Sequence, residues 1–218
     1  MTSEIFSEKL SPRDRIVATG MRLFNEGGPH TIGIDRIIAE SGVAKRTFYH
    51  HFPSKTALLA EFFRRKDEVW FDRLERHTED RTKPPLERLL ALFDAMKEWY
   101  SEPDFLGCAF IRGLADFGAD CGEPELVACV REHFERTGKI LAELLQAVRP
   151  DDYAEFLPLF STLLGGATVV AHATKDPAIA DNLKAMARKI LTASAPQSTP
   201  SSKEPSTKDA SPIDPVSQ

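Results

Sequence analysis

A run of basic, hydroxyl and aromatic side chains has the chemistry that nucleic acids require of a partner. Its members are Lys45, Arg46, Thr47, Tyr49 and His50. A guanidinium such as that of Arg46 can bridge the O6 and N7 atoms of guanine. Ammonium, hydroxyl and imidazole groups hold phosphate oxygens, which position a protein on a duplex without reading its sequence. The run therefore predicts contacts to DNA phosphates and base edges.

The residues around this run predict two short helices joined by a tight turn, over about residues 33–52. The apolar positions of the first helix are Ile34, Ile37 and Ile38. Ser41-Gly42 interrupts that pattern, and Gly42 supplies the left-handed backbone conformation that such a turn needs. A second helix begins near Ala44 and turns its basic and hydroxyl side chains outward. This pattern predicts a helix-turn-helix, in which the second helix enters the major groove.

Two further residues lie where helices are expected to begin. Lys55 follows Ser54, the expected cap of a fourth helix, and the free amides and dipole of a helix N-terminus favour an anion. Thr31 is the expected cap of the second helix and is given the same role. We therefore add Thr31 and Lys55 to the predicted DNA contacts.

The segment GVAKRTFYHHFPSK resembles the signature of the TetR family of one-component transcriptional repressors. The matching positions are Gly42-Val43, Thr47-Phe48-Tyr49, His51-Phe52 and Lys55. The resemblance is close over about residues 12–59 and loose beyond them. Arg46 stands where the family often has a small residue, and Ser41 stands where alanine is usual. The resemblance implies DNA binding, while Arg46 leaves the operator sequence open.

Helical periodicity continues along the chain, and no strand-like alternation between hairpin turns interrupts it. The sequence therefore predicts an all-α protein. The resemblance implies an N-terminal three-helix helix-turn-helix domain, which we expect over residues 11–70. It also implies a C-terminal helical domain for ligand binding and dimerisation, expected over residues 71–194. Residues 195–218 contain five prolines and six serines, and we expect them to be disordered because they cannot bury enough apolar surface.

The charge of the chain is unevenly distributed. The net charge is −5, yet residues 1–60 hold eight basic and six acidic side chains, against 20 basic and 27 acidic in the remainder. A small basic head on an acidic body is expected of a protein that contacts DNA with one end.

The location follows from three expected absences. Three cysteines are too few for a disulfide framework and favour free thiols in a reducing compartment. No window approaches 18 uninterrupted apolar residues, and the N-terminus lacks an apolar segment, so we expect neither a transmembrane helix nor a secretory signal. We therefore expect a cytoplasmic protein with no membrane partner.

The penultimate predicted helix is apolar on nearly every side. Its apolar residues include Leu157, Phe160, Leu163, Leu164, Ala167, Val169 and Val170. Such a helix needs partners all round, and Gly165-Gly166 is costly inside a helix unless another backbone approaches closely. We expect a homodimer through the last two helices, as in TetR-like proteins, with recognition helices about 34–36 Å apart on a near-palindromic operator. The alternative is a helix buried within one chain.

The resemblance also implies a pocket for an unknown small-molecule effector among the middle helices. Its predicted lining is Phe93, Met96, Trp99, Phe105, Cys108, Phe110, Phe117, His133 and His172. An aromatic lining with few charges favours an apolar or aromatic molecule. Its binding would stabilise the state of a repressor that does not fit the operator. The same residue types also fill ordinary helical cores.

Other functions remain open. We expect a repressor, but Cys108 could make the chain a thiol-responsive regulator, the basic head could bind an acidic protein instead of DNA, and the sequence does not exclude an activator. An enzyme is not expected, since no nucleophile elbow, zinc-protease motif or phosphate loop occurs. No metal or other cofactor is expected either, because the adjacent His50 and His51 point to different helix faces and the cysteines lack zinc-like spacing.

Overall fold

The computed structural model describes residues 10–28, 31–117 and 123–193. Within those ranges the regular structure consists of helices alone, which confirms the predicted all-α fold class. The helices are α1 (Pro12–Gly27), α2 (Ile34–Ser41), α3 (Lys45–His51), α4 (Lys55–Thr78), α5 (Pro85–Tyr100), α6 (Ala109–Asp116), α7 (Pro124–Val148), α8 (Tyr153–Thr174) and α9 (Ile179–Thr192). The predicted disordered segment 195–218 lies outside the described residues, as does Cys121.

Local capping chemistry sets the bounds of the first helices. The Ser11 hydroxyl accepts a hydrogen bond from the backbone amide of Asp14 at 3.2 Å, so α1 begins at Pro12. Gly42 has φ 64° and ψ 28°, the left-handed conformation, and ends α2. The chain then turns, and α3 begins at Lys45 with Phe48 fully buried beneath it. The predicted helix-turn-helix geometry is therefore present.

The expected cap of α2 is wrong. Gly33, not Thr31, is the residue that precedes α2, and no side chain caps the helix there. The Thr31 hydroxyl instead donates to the carbonyl oxygen of Gly27 at 2.7 Å, at the end of α1. A capping side chain must directly precede the first helical residue to reach the free amides, and Thr31 lies two positions too early. Thr31 therefore satisfies a backbone carbonyl at the C-terminal end of α1 instead of capping α2.

The buried apolar residues form two clusters. One joins the head, made of α1, α2, α3 and the first half of α4, to α6 and the start of α7. The other joins the second half of α4 to α5, the end of α7, α8 and α9, which we call the body. Because α4 enters both clusters, it connects the head and the body. The expected domain boundary at residue 70 falls inside this helix and stays a prediction.

Aromatic contacts on α4 fix the head against α6. The Phe63 ring centroid lies 5.4 Å from that of its neighbour Phe62, which in turn lies 5.7 Å from Phe24 of α1. On its other side Phe63 lies 5.2 Å from Phe110 of α6 and 6.1 Å from Phe117. The rings thus form a continuous path from α1 to α6.

One side of α8 is left uncovered. Val169 is 53% exposed, and Leu159 and Val170 are also exposed. By length and composition α8 is the one helix in the described ranges that is apolar enough to span a membrane, yet only 22% of its most apolar window is buried within the chain. The sequence expectation of no transmembrane helix required an uninterrupted apolar run, whereas α8 mixes serine, threonine and glycine into its apolar surface.

The α2–α3 turn leads to a test of stability. We expect Gly42→Ala to lower the free energy of unfolding by about 1–2 kcal/mol, because a Cβ disfavours the left-handed conformation. An added Cβ would approach Arg15 no closer than 3.6 Å, so backbone strain rather than a clash is the cause. Urea unfolding at fixed protein concentration measures the change.

Gly138 of α7 provides the matched control. It lies inside a helix, and nothing lies within 4 Å of an added Cβ. Gly138→Ala should therefore raise the free energy of unfolding by up to about 1 kcal/mol. Equal effects of the two substitutions would show that the conformation of Gly42 does not set the turn.

Candidate DNA-binding face and ligand cavity

The outer face of α3 collects four of the predicted DNA contacts. Lys45, Arg46, Tyr49 and His50 are all exposed, and their spacing of one, three and one residues places them on one side of the helix. Lys45 and Arg46 lie in the first turn, where a recognition helix approaches base edges most closely. The exposed side of α3 therefore presents two cations, an imidazole and a phenol together.

Lys45 has only a weak partner within the chain. Its ammonium nitrogen lies 3.5 Å from a carboxylate oxygen of Asp35, and both side chains are largely exposed. Exposed pairs of this kind contribute little to stability because water screens them. The ammonium can exchange this carboxylate for a phosphate at small cost.

Packing beneath α3 orients its aromatic residues. The Tyr49 ring meets buried Phe48 edge to face, with centroids 5.4 Å apart, while Tyr49 itself is 42% exposed. Thr47 is half-buried on the side of the helix, and the His50 ring packs edge to face on His51 at 5.0 Å. These contacts restrict the rings before any partner arrives.

The two remaining predicted contacts lie at other helix ends. Lys55 is the first residue of α4, next to Ser54, whose hydroxyl accepts from the amide of Ala57 at 3.0 Å. Partial burial lowers the pKa of Lys55, so a nearby anion would stabilise its charge. Thr31 is exposed, but its hydroxyl proton is engaged by Gly27. DNA contact by all seven residues stays a prediction.

A cavity of about 270 Å³ lies among α4, α5, α6, α7 and α8. The structure brings five of the nine predicted effector contacts to its wall: Met96, Trp99, Cys108, Phe110 and His133. The Phe110 and His133 rings are stacked, with centroids 3.6 Å apart and planes 1° from parallel. The His133 Nδ1 lies 2.6 Å from a carboxylate oxygen of Asp67, which fixes the orientation of the imidazole.

The other four predicted effector contacts lie outside the cavity lining. Phe93 is buried in the second cluster, and Phe117 packs edge to face on Phe63. Phe105 packs against Trp99 with centroids 5.1 Å apart, and His172 meets the edge of Phe105 at 6.1 Å. These rings therefore support the cavity wall or the core. Effector contact by any of the nine residues remains a prediction.

Sequence reasoning missed the part of the wall that α4 supplies. The missed α4 residues are Lys66, Val69, Trp70 and Arg73. Trp70 and Trp99 lie with ring centroids 5.2 Å apart, at an angle of 50°. These four residues recur every three to four positions along α4, which indicates only that they share one face of the helix. Nothing in the local sequence says that this face meets α5 and α7.

Ion pairs balance the nearly buried guanidinium of Arg73. Its Nε lies 3.1 Å from a Glu98 carboxylate oxygen, and the guanidinium also donates to Glu102. Hydrogen bonds from Arg76 and His77, followed by one from Arg73, lower the pKa of Glu98 to about 2. Glu98 therefore stays ionised at neutral pH, and the Arg73 charge at the cavity wall is compensated.

Cys108 lies at the N-terminus of α6 and lines the cavity. Burial raises the pKa of its thiol, which outweighs backbone hydrogen bonds and the nearby Arg112 and Lys66 charges. A reactive thiolate needs a lowered pKa and access, and the raised pKa of Cys108 does not meet the first requirement.

No group of three or more histidine, cysteine or acidic side chains suited to a metal occurs in the described ranges.

Polar contacts join the cavity wall to the head. The Asn25 side-chain amide of α1 donates to the Asp104 carbonyl at 3.2 Å, and Arg112 of α6 donates to the Asn25 carbonyl at 3.1 Å. At the start of α4, the Thr56 hydroxyl donates to a Glu123 carboxylate at 3.0 Å. The loop before α6, which supplies Gly107 and Cys108 to the cavity, is thus tied to the end of α1.

Comparisons with known proteins agree with this geometry. The family model described as "Bacterial regulatory proteins, tetR family" matches residues 16–62. An uncharacterised HTH-type transcriptional regulator of Mycobacterium tuberculosis, Rv0196, is 26% identical over 85% of this chain and 97% of its own length. The crystal structure of SCO4454, a TetR-family regulator from Streptomyces coelicolor, shares 25% identity and a TM-score of 0.75 over 83% of this chain and 94% of its own.

A further solved structure contains a small molecule. It is a transcriptional regulator from Saccharomonospora viridis in complex with choline, 22% identical with a TM-score of 0.65 over 82% of this chain and 94% of its own. At that identity the likeness concerns the fold alone. The family match over the helix-turn-helix, the full-length relatives and the shared all-α architecture together identify the chain as a member of the TetR family of helix-turn-helix transcriptional regulators.

Proposed function

We propose that the chain is a homodimeric repressor that binds a near-palindromic operator through α3 and leaves it when a small apolar or aromatic effector fills the cavity. The observation that carries this proposal is the exposed set Lys45, Arg46, Tyr49 and His50 on one face of α3. In a helix-turn-helix this face lies in the major groove. Arg46 would read a guanine edge, while Lys45 and Tyr49 would hold phosphates.

The uncovered side of α8 supports the dimer. Exposed residues recur every three or four positions along it: Leu159, Thr162, Gly166, Val169, Val170 and Ala173. Among the described residues, no atom lies within 4 Å of a Cβ built on the exposed Gly166, so its small size serves no contact inside that part of the chain. A second copy of α8 would use it, because small residues allow two helix backbones to approach closely.

A second protein chain covers this side of α8 better than lipid would. The exposed residues of α8 include Thr162, which carries a hydroxyl, and Gly166, where the backbone has no side chain over it. The rest of the helix packs against α7 and α9 within the body. Two heads on one dimer would meet successive major grooves, about 34–36 Å apart, and this spacing gives the palindromic operator.

The effector role rests on the position of the cavity. Phe110 lines it and also packs on Phe63, which belongs to the buried cluster of the head. A ligand that shifts α6 would shift this contact and with it the separation of the two heads. The choline in the Saccharomonospora viridis relative supports small-molecule binding by a fold of this kind. We place the regulator in the cytoplasm, where its DNA is.

Two other functions are separable by experiment. A thiol-responsive regulator would need a reactive Cys108. Burial raises the pKa of this thiol and so disfavours the reactive thiolate. Alkylation that leaves operator affinity unchanged would exclude it. A helical interaction module would bind an acidic protein through α3 and would ignore DNA. An activator would use the same DNA contacts, and only the effect on transcription separates it from a repressor.

The α3 face leads to a direct test. We expect the double variant Lys45→Ala with Tyr49→Ala to bind DNA from upstream of its own gene at least about a hundredfold more weakly. The reason is that each head of the dimer loses two contacts, each contributing about 1 kcal/mol or more. Fluorescence anisotropy measures the affinity, and circular dichroism and light scattering should show unchanged helicity and dimerisation.

Arg131→Ala with Lys139→Ala is the matched control. Both side chains are exposed on α7 and lie outside the predicted reading helix. This variant removes two positive charges and should bind DNA as the unmodified chain does. Retained binding by the α3 variant, or an equal loss in the α7 variant, would show that α3 is not the reading helix.

The α8 surface leads to a second test. We expect Val169→Glu to convert the dimer to a monomer, because two carboxylates would be buried at the contact of two identical helices. Size-exclusion chromatography with light scattering measures the mass. Operator binding should fall with it, since one head makes too few contacts.

Leu114→Glu is the control for this test. Leu114 of α6 is 54% exposed, against 53% for Val169, so both substitutions place a carboxylate at an equally open apolar site. The Leu114 variant should remain a dimer. A Val169→Glu variant that also remains a dimer would exclude α8 as the interface.

A further inference from the structure

The cavity wall carries one positive charge that the described residues do not compensate. Its charged side chains are Lys66, Arg73 and Glu102. Arg73 is hydrogen-bonded to Glu102 and to Glu98, and Glu98 also accepts a hydrogen bond from Arg76, so the two guanidinium groups balance the two carboxylates. Lys66 is left as the excess cation, and a ligand that enters the cavity meets it.

Lys66 lacks a close anionic partner in the described part of the chain. Among the described residues, no salt bridge or hydrogen bond involves its ammonium, which lies 5.9 Å from the centroid of the Phe62 ring. Burial lowers the pKa of Lys66, while the more distant charges of Asp104 and Glu102 act against that shift and Arg112 adds to it. Asp104 is exposed and lies outside the cavity lining. A desolvated cation of this kind is stabilised by an anion in contact with it.

Two more hydrogen-bonding groups at the wall are also unsatisfied. The indole Nε1 of Trp70 and the hydroxyl of Thr137 are buried without a hydrogen-bond partner among the described residues, and both residues line the cavity. A buried donor without an acceptor costs free energy that a partner restores. The two groups would reach a ligand by rotation of their side chains toward the cavity. An indole N–H can only donate, so it requires an acceptor atom.

The rest of the wall suits a planar apolar body. Trp70 and Trp99 lie on one part of it, and Phe110, stacked on His133, lies on another. Aromatic faces of this kind favour a flat ring system. The volume of about 270 Å³ limits the ligand to a small molecule.

We propose that the effector is a small aromatic monoanion, an arene that carries one carboxylate or an equivalent acidic oxygen group. Its oxyanion contacts the Lys66 ammonium and accepts hydrogen bonds from Trp70 and Thr137, while its ring lies against the tryptophans and Phe110. This inference rests on the proposed function, since it names the chemical class that the effector cavity takes. It excludes an organic cation such as choline, which would meet the uncompensated Lys66 charge.

Three probes of similar shape separate the charge from the ring. They are 2-naphthoate, the neutral ketone 2-acetylnaphthalene and the cation (2-naphthylmethyl)trimethylammonium. Calorimetry on the full chain at neutral pH should give a Kd for 2-naphthoate at least about tenfold lower than for the ketone, because hydrogen bonds to charged groups are the stronger ones. The cation should bind most weakly.

Lys66→Met tests the residue, and Lys139→Met is its control. Lys139 is exposed on the same helix as Thr137 but lies outside the lining. In the Lys66 variant the affinity for 2-naphthoate should fall about tenfold while that for the ketone changes less than about twofold. The Lys139 variant should keep the preference of the unmodified chain.

The location of the probes can be read from the indole N–H resonances. The chain has two tryptophans, and both line the cavity. Binding of 2-naphthoate should shift the Trp70 resonance downfield, as a new hydrogen bond does, and Trp99→Phe assigns the two signals. Trp70→Phe, which keeps an aromatic ring but removes the donor, should reduce the preference for 2-naphthoate.

The outcomes separate this inference from the proposed function. Equal affinities, or a preference for the ketone or the cation, with the indole resonances still shifted, would overturn the anionic effector and leave the cavity as the effector site. No indole shift with any of the three probes would overturn the effector cavity itself. The order of the three affinities needs no substitution, so the inference can fail even if Lys66→Met does not fold.

Discussion

The packing of Phe63 between the head and α6 is the contact on which the other features depend. Its ring lies 5.4 Å from Phe62 on the head side and 5.2 Å from Phe110 of α6, which lines the cavity. The cluster that holds the head together therefore ends in α6 and α7. Close-packed interiors have few alternative arrangements, so a ligand that displaces Phe110 cannot leave the head where it was. Under the proposed function, the same contact that stabilises the head would make its position depend on what fills the cavity.

Much of the fold follows from local signals in the sequence. Gly42 marked the turn before α3, and Ser54 marked the start of α4. The exposed face of α3 was also predictable, because a seven-residue helix with buried Phe48 can present Lys45, Arg46 and Tyr49 only outward. Caps, turns and periodicity act over a few residues, and a single sequence contains that information.

The cavity could be predicted only in part, because it forms between helices far apart in the chain. Phe93 and Met96 lie three residues apart on α5, yet Phe93 is enclosed by the core and Met96 lines the cavity. Lys66 and Trp70 looked like ordinary positions of an amphipathic helix until α4 was placed against α5 and α7. The prediction that Thr31 caps α2 was wrong for a simpler reason, because α2 begins two residues later than expected.

The central claim is that a dimer of helical bodies presents its two basic heads to duplex DNA. The most direct measurement is the affinity for the DNA upstream of its own gene as a function of salt concentration. We expect the logarithm of the association constant to fall linearly with the logarithm of salt, with a slope of about −0.9 for each of several neutralised phosphates. No binding at low ionic strength, or an affinity that salt does not change, would contradict the claim.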